Sequence, residues 1–128
     1  MRRKTDLPEL LSPAGSMECL LAAVEGGADA VYIGGKLFGA RAYAKNFEIA
    51  EIEEAVRYCH LFGVRLYVTV NTLVDDKEMP SLIEYATALY NAGVDAIIVA
   101  DLGAARMIRK YLPSLELHAS TQMSIHNT

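Results

Sequence analysis

Three stretches of this chain repeat one pattern. GGADAVYIGG (residues 26–35) and AGVDAIIVAD (residues 92–101) each pass from a glycine through a small or branched residue to Asp-Ala and an apolar run, and FGVRLYVTVN (residues 62–71) is a third version. Gly27, Gly63 and Gly93 each close an amphipathic helical pattern, where a left-handed residue is commonly required. The runs that follow, AVYI, VRLYVTV and AIIV, are rich in Val, Ile and Tyr. AVYI and AIIV are almost continuously apolar, which suits strands covered on both faces, as in parallel sheets. Each copy therefore reads as the helix-to-strand joint of one βα unit.

The rest of the chain completes the alternation. A first strand is expected at PELL (residues 8–11) and a fifth at LELHA (residues 115–119). Ser16 is placed to cap a helix whose stripe is Leu20, Leu21 and Val24. In EIAEIEEAVRYCHLF, Ile49, Ile52, Val56, Cys59 and Phe62 recur at helical spacing. PSLIEYATALYNAG starts near Pro80, tolerated in a first turn, and places Leu82, Ala86 and Leu89 on one face. Asp101 can cap LGAARMIRKYL, which Pro113 follows.

The order β-α-β-α-β-α-β-α-β makes a parallel α/β sheet. No GxGxxG follows the first strand, so a dinucleotide fold is not indicated. A full (β/α)₈ barrel takes about 250 residues, and this chain has 128. The expectation is one partial domain over residues 1–128: parallel βα repeats forming the N-terminal half of a TIM-type barrel, about five strands and four helices, taken from a longer chain. The alternative is an open five-stranded sheet. An unpaired last strand would template association, so a homo-oligomer through that exposed edge is expected, and dimers or aggregates when these residues are expressed alone.

Hydrophobic residues at 52% and charged residues at 22% suit a globular core. The net charge of −4 gives no basic balance of the kind nucleic-acid binding usually uses. The Met-Arg-Arg-Lys start is not followed by an apolar h-region, and no run approaches the roughly 18 apolar residues of a membrane span. A cytoplasmic location without membrane association is expected. Cys19 and Cys59 lie on separate helices without CxxC spacing, as expected of buried apolar thiols in a reducing compartment.

Five runs in order, LLSPAGSMECLLAAVEGGADAVYIGG, FGARAYAKNF, LYVTVNTLVDD, GVDAIIVADLG and LHASTQMSIHN, resemble the start of the collagenase-like peptidase family, peptidase family U-thirty-two. The resemblance covers essentially the whole chain and implies a TIM-type barrel. It implies nominal proteolysis of unassigned mechanism. It equally implies, for other members, oxygen-independent hydroxylation of RNA or a quinone precursor, with an iron–sulfur centre held by cysteines downstream of this region. Cys19 and Cys59 do not match those cysteines, so no cofactor and no metal are expected in this chain itself. A third reading is a non-catalytic scaffold. The partners implied are an RNA or a peptide.

In a barrel the working residues sit at the C-terminal ends of strands. The sequence places Ser12 to Ser16, Gly34, Gly35, Asn71, Thr72, Asp101 and His118 to Gln122 there. His118, Ser120 and Asp101 are the residue types of a base, a nucleophile and an orienting acid. No GxSxG elbow and no HExxH accompanies them. Ser16, Arg41, Asn71 and Gln122 are the substrate-binding candidates. Arg41, on a long loop after the second strand, could pair with a carboxylate or phosphate, and Phe38 and Tyr43 could stack on a ring. Ser16 and Asp101 are equally explained as helix N-caps, Asn71 as a turn residue and His118 as a core imidazole.

Overall fold

A computed structural model describes residues 9–35, 47–70 and 79–119 of the chain. Strands and helices alternate along them: β1 (Leu11–Ala14), α1 (Met17–Glu25), β2 (Ala30–Gly34), α2 (Ile49–Leu61), β3 (Arg65–Val70), α3 (Met79–Ala92), β4 (Ala96–Val99), α4 (Leu102–Tyr111) and β5 (Leu117–Ala119). The five strands form one parallel sheet in the order β1-β2-β3-β4-β5. The order never reverses, so the sheet lacks the switch point of a doubly wound fold.

One face of the sheet carries all the helices. Val31, Ile33, Leu66, Val68, Ile97 and Val99 are buried together with Leu20, Ile52, Leu82 and Ile108, one from each helix in turn. The opposite face holds a separate small cluster of Ala30, Tyr67 and Ala96, with Tyr32 and Ile98 against it. Alternate residues of a strand point to opposite faces, so the two clusters are the outer and inner faces of one curved wall. Tyr67 lies there between its register partners, Tyr32 on β2 and Ala96 on β4.

The register carries the stagger of a barrel. Ala30, three residues after Gly27, pairs with Arg65, two after Gly63. Tyr67, four after Gly63, pairs with Ala96, three after Gly93. Relative to the repeated motif the pairing slips one residue per strand, which over eight strands gives the shear of eight that a TIM-type barrel requires. The fold is α/β, with parallel βα repeats forming the N-terminal half of such a barrel.

Local chemistry explains the joints. Gly27, Gly63 and Gly93 have φ of 92°, 72° and 95°, a left-handed turn in which a side chain is strained. The aspartates of the repeat do something that spacing alone did not reveal. Asp29 donates its backbone N–H to the Leu10 carbonyl, and its carboxylate accepts the Leu10 N–H at 2.8 Å. Asp95 repeats this reciprocal pair with Leu66, also at 2.8 Å. Each ties the start of its strand to the preceding one. Asp95 also holds His60 at 2.7 Å. Arg65 takes the equivalent place in the middle copy and points inward instead.

Three expectations are corrected. The first strand lies at Leu11–Ala14, later than residues 8–11, because the ladder pairs Leu11 with Ala30 and an outer strand tolerates Pro13. Phe62 leaves the α2 stripe and is 58% exposed, since it sits at the helix C-cap where the chain turns away. Cys19 is exposed on α1, while Cys59 is buried on α2.

Candidate functional site

The helix caps account for two of the residues expected on the rim. Ser16 accepts the Cys19 N–H through Oγ at 3.2 Å. Asp101 accepts the N–H groups of Gly103 and Ala104 at 2.8 and 3.4 Å. Ser16 borders a cavity of about 260 Å³ at the ends of β1 and β2, with Gly15, Gly34, Phe47 and Glu51. Asp101 and His118 border a second space of about 530 Å³ beside β5, with Arg106, Arg109 and Lys110 on its helical wall. Arg109 is turned to the backbone there, donating to the carbonyls of Pro113 and Leu115, both at 3.1 Å. Ser120, Arg41, Asn71 and Gln122 lie outside the described residues, as do Phe38 and Tyr43.

His118 belongs to the inner face. Its register partner Ile98 pairs in turn with Thr69 of β3, and Thr69 with Gly34 of β2. Its Nε2 meets a Glu116 carboxylate oxygen at 2.5 Å, two residues back on the same face of the strand. Its ring stands edge-on to Tyr67, with centroids 4.9 Å apart. The Tyr67 hydroxyl donates to Glu9 at 3.1 Å, and Arg65 reaches the same carboxylate at 3.4 Å. Burial, reinforced by the Glu9 carboxylate, holds the Tyr67 phenol above its ordinary range.

Arg65, Tyr67, Glu116 and His118 thus come from β3, β5 and the residue leading into β5, with Glu9 leading into β1. The even strands offer Ala30, Tyr32, Ala96 and Ile98 to the same face. This matches the layering of TIM-type barrels, in which alternate strands fill alternate layers. Sequence reasoning passed over Glu9, Arg65, Tyr67 and Glu116. The signal was a two-residue alternation, Arg65-Tyr67-Thr69 and Glu116-His118, interleaved with apolar residues that face the helices.

Chemically, the site is a carboxylate-oriented imidazole over a tyrosine wall. Of the Ser-His-Asp set considered above, the Asp101 carboxylate caps α4 and the His118 imidazole pairs with Glu116, while Ser120 lies outside the described residues. The residues also do not fit the iron–sulfur centre that the resemblance implies. Such a cluster takes several thiolates, whereas the chain has two cysteines, exposed Cys19 and buried Cys59 on different helices. Burial, with Asp95 adding to it, pushes the Cys59 thiol up to about 11. Among the described residues no group of three or more His, Cys, Asp and Glu is arranged to hold a metal ion.

That contrast predicts thiol behaviour. At pH 8 a thiol reagent is expected to modify Cys19 rapidly and Cys59 only on unfolding, because the thiolate is the nucleophile. Mass spectrometry of the partially labelled protein checks this, and rapid labelling of Cys59 would contradict its burial.

A parallel barrel wall with a polar inner row defines the class: an α/β protein of TIM-type architecture with a candidate site on the lumen face. The model of peptidase family U32 matches residues 15–128, and the chain belongs to that family. It is 46% identical to a tRNA hydroxylation protein P1 of Bacillus subtilis, over 96% of this chain and 29% of that protein. It is 45% identical to a 23S rRNA 5-hydroxycytidine synthase of Escherichia coli, over 91% of this chain and 17% of that one. A collagenase of Porphyromonas gingivalis is 35% identical over 93% of this chain and 28% of its own length. The chain thus spans less than a third of these relatives. In structure it resembles an aldolase of Escherichia coli, with a TM-score of 0.61 at 18% identity, covering 91% of this chain and 44% of the aldolase. Among the described residues no helix is long and apolar enough to cross a membrane.

Proposed function

We propose that these residues are part of the barrel of an RNA-hydroxylating protein rather than of a peptidase. The observation that carries this reading is the 46% and 45% identity to proteins named for hydroxylation of tRNA and rRNA, against 35% to the collagenase. The inner row supports it, since a histidine paired with glutamate beside Tyr67 suits binding a planar polar group better than cutting a peptide. The net charge of −4 puts most of the phosphate contacts on parts of the protein outside these residues, because backbone affinity comes from cations. The iron–sulfur centre belongs outside them as well.

The test uses the complete protein in its own cells. Deleting its gene is expected to remove a hydroxylated nucleoside from digested tRNA or rRNA, read by mass spectrometry, and restoring the gene brings it back. Unchanged nucleosides, together with gelatin cleavage by the purified protein, would return the peptidase reading to first place. The outer edges of β1 and β5, with Leu10 and Leu11 exposed beside β1, favour self-association of residues 1–128 when expressed alone. Light scattering at tens of micromolar reads it, and a clean monomer would remove that part of the proposal.

A further inference from the structure

The seam between α3 and α4, on the outer surface of the barrel wall, holds a groove of about 770 Å³, larger than either space at the strand ends. Met79, Pro80 and Ile83 line it from α3, and Gly103, Met107 and Tyr111 from α4. We propose that this seam is an interface between two copies of the full-length protein, related by a two-fold axis. The inference is independent of the reaction and of the sheet edges.

The floor of the groove is apolar and uncovered. Its lining contains no charged side chain, and Tyr111 is 55% exposed, so apolar surface is left for a partner to cover. Two methionines suit such a face, because a flexible thioether repacks against what meets it. Leu82 of α3 and Ile108 of α4 anchor the two helices on the sheet. Both helices lie between β3 and β5, so closing the barrel at its edges leaves the seam on the outside.

The charges select the partner. α3 has one charged residue, Glu84, and those of α4 are all cations, Arg106, Arg109 and Lys110. Arg109 is turned away to the carbonyls of Pro113 and Leu115. Glu84 stands one turn beyond Pro80, while Arg106 and Lys110 stand one turn beyond Gly103 and Met107. One rim of the groove is therefore acidic and the other basic. All three residues are exposed, and among the described residues none of them forms an ion pair. A two-fold rotation lays the acidic rim of each copy on the basic rim of the other while the apolar floors meet. That is the self-complementarity an isologous dimer requires. A nucleic-acid backbone, by contrast, would match only the basic rim and leave the apolar floor unused.

The experiment measures the mass of the full-length protein by sedimentation velocity at tens of micromolar and on dilution. The wild type is expected to be a dimer. A two-fold interface contains every substitution twice, so Tyr111→Glu and Glu84→Arg are each expected to raise the dissociation constant at least about tenfold. Arg106→Glu together with Lys110→Glu is expected to do the same. Combining that pair with Glu84→Arg reverses both rims and is expected to return the constant to within about threefold of wild type. These side chains are exposed, so the variants are expected to stay folded, which circular dichroism checks. A dimer that none of the substitutions weakens would overturn the interface. A monomeric wild type, bare or bound to another protein through the seam, would overturn the second copy as its occupant. Failure of the combined reversal to recover the dimer would overturn the pairing of the rims.

Discussion

Alanine at Gly35 is expected to destabilise the protein by about 1–3 kcal/mol, the usual cost of overpacking. Alanine at neighbouring Gly34 is expected to change stability by no more than about 0.5 kcal/mol. The two glycines are adjacent in sequence and opposite in circumstance. A Cβ at Gly35 would lie 2.6 Å from both the Tyr85 hydroxyl and a Val68 methyl, and 3.1 Å from the Thr69 carbonyl oxygen. Tyr85 and Val68 are themselves buried, at 9% and 0% exposure, so neither side chain has an easy retreat. Backing away as a unit would break the bond from the Gly35 N–H to Thr69 at 3.0 Å. Urea midpoints of the two variants decide it. Equal midpoints would mean that the end of β2 repacks freely, and the tight approach of α3 to the sheet would lose its support.

The second large effect lies at the opposite end of the barrel wall. Asp95→Ala is expected to cost about 1–3 kcal/mol, because it leaves the Leu66 N–H, at the start of a fully buried residue, without its acceptor. It also releases His60. Asp29→Ala removes the equivalent bond to Leu10, but Leu10 is 53% exposed, so water replaces the carboxylate there and the loss from that bond is expected to be under about 1 kcal/mol. Asp95→Asn keeps an oxygen acceptor and is expected to recover most of the difference. Thermal unfolding of the three variants reads the order directly. Equal losses at Asp95 and Asp29 would show that burial of the strand start is not what sets the cost.

The helices and most strands were legible because their signals are local. Ser16 and Asp101 announced the caps of α1 and α4, and Gly27, Gly63 and Gly93 announced the turns into β2, β3 and β4. The first strand was placed too early because a proline inside it argues against a strand until its outer position is known. Cys19 was expected to be buried, since a thiol carries no sign of which side of a helix faces the sheet. The rim candidates were legible only as residue types. Asp101 proved to serve its helix, and His118 found Glu116, its neighbour two residues back, because both face the lumen.

The sequence by itself determined the βα alternation, the family, and the length that corresponds to part of a barrel. These depend on periodicity, caps and turn residues, each acting over a few neighbouring positions. Only the tertiary structure decided which residues share the lumen. Arg65, Tyr67, Glu116 and His118 come from strands far apart in the chain, and a slip of one residue per strand determines whether each faces the helices or the interior. That slip is a property of closing a twisted sheet, and no single stretch of the sequence contains it.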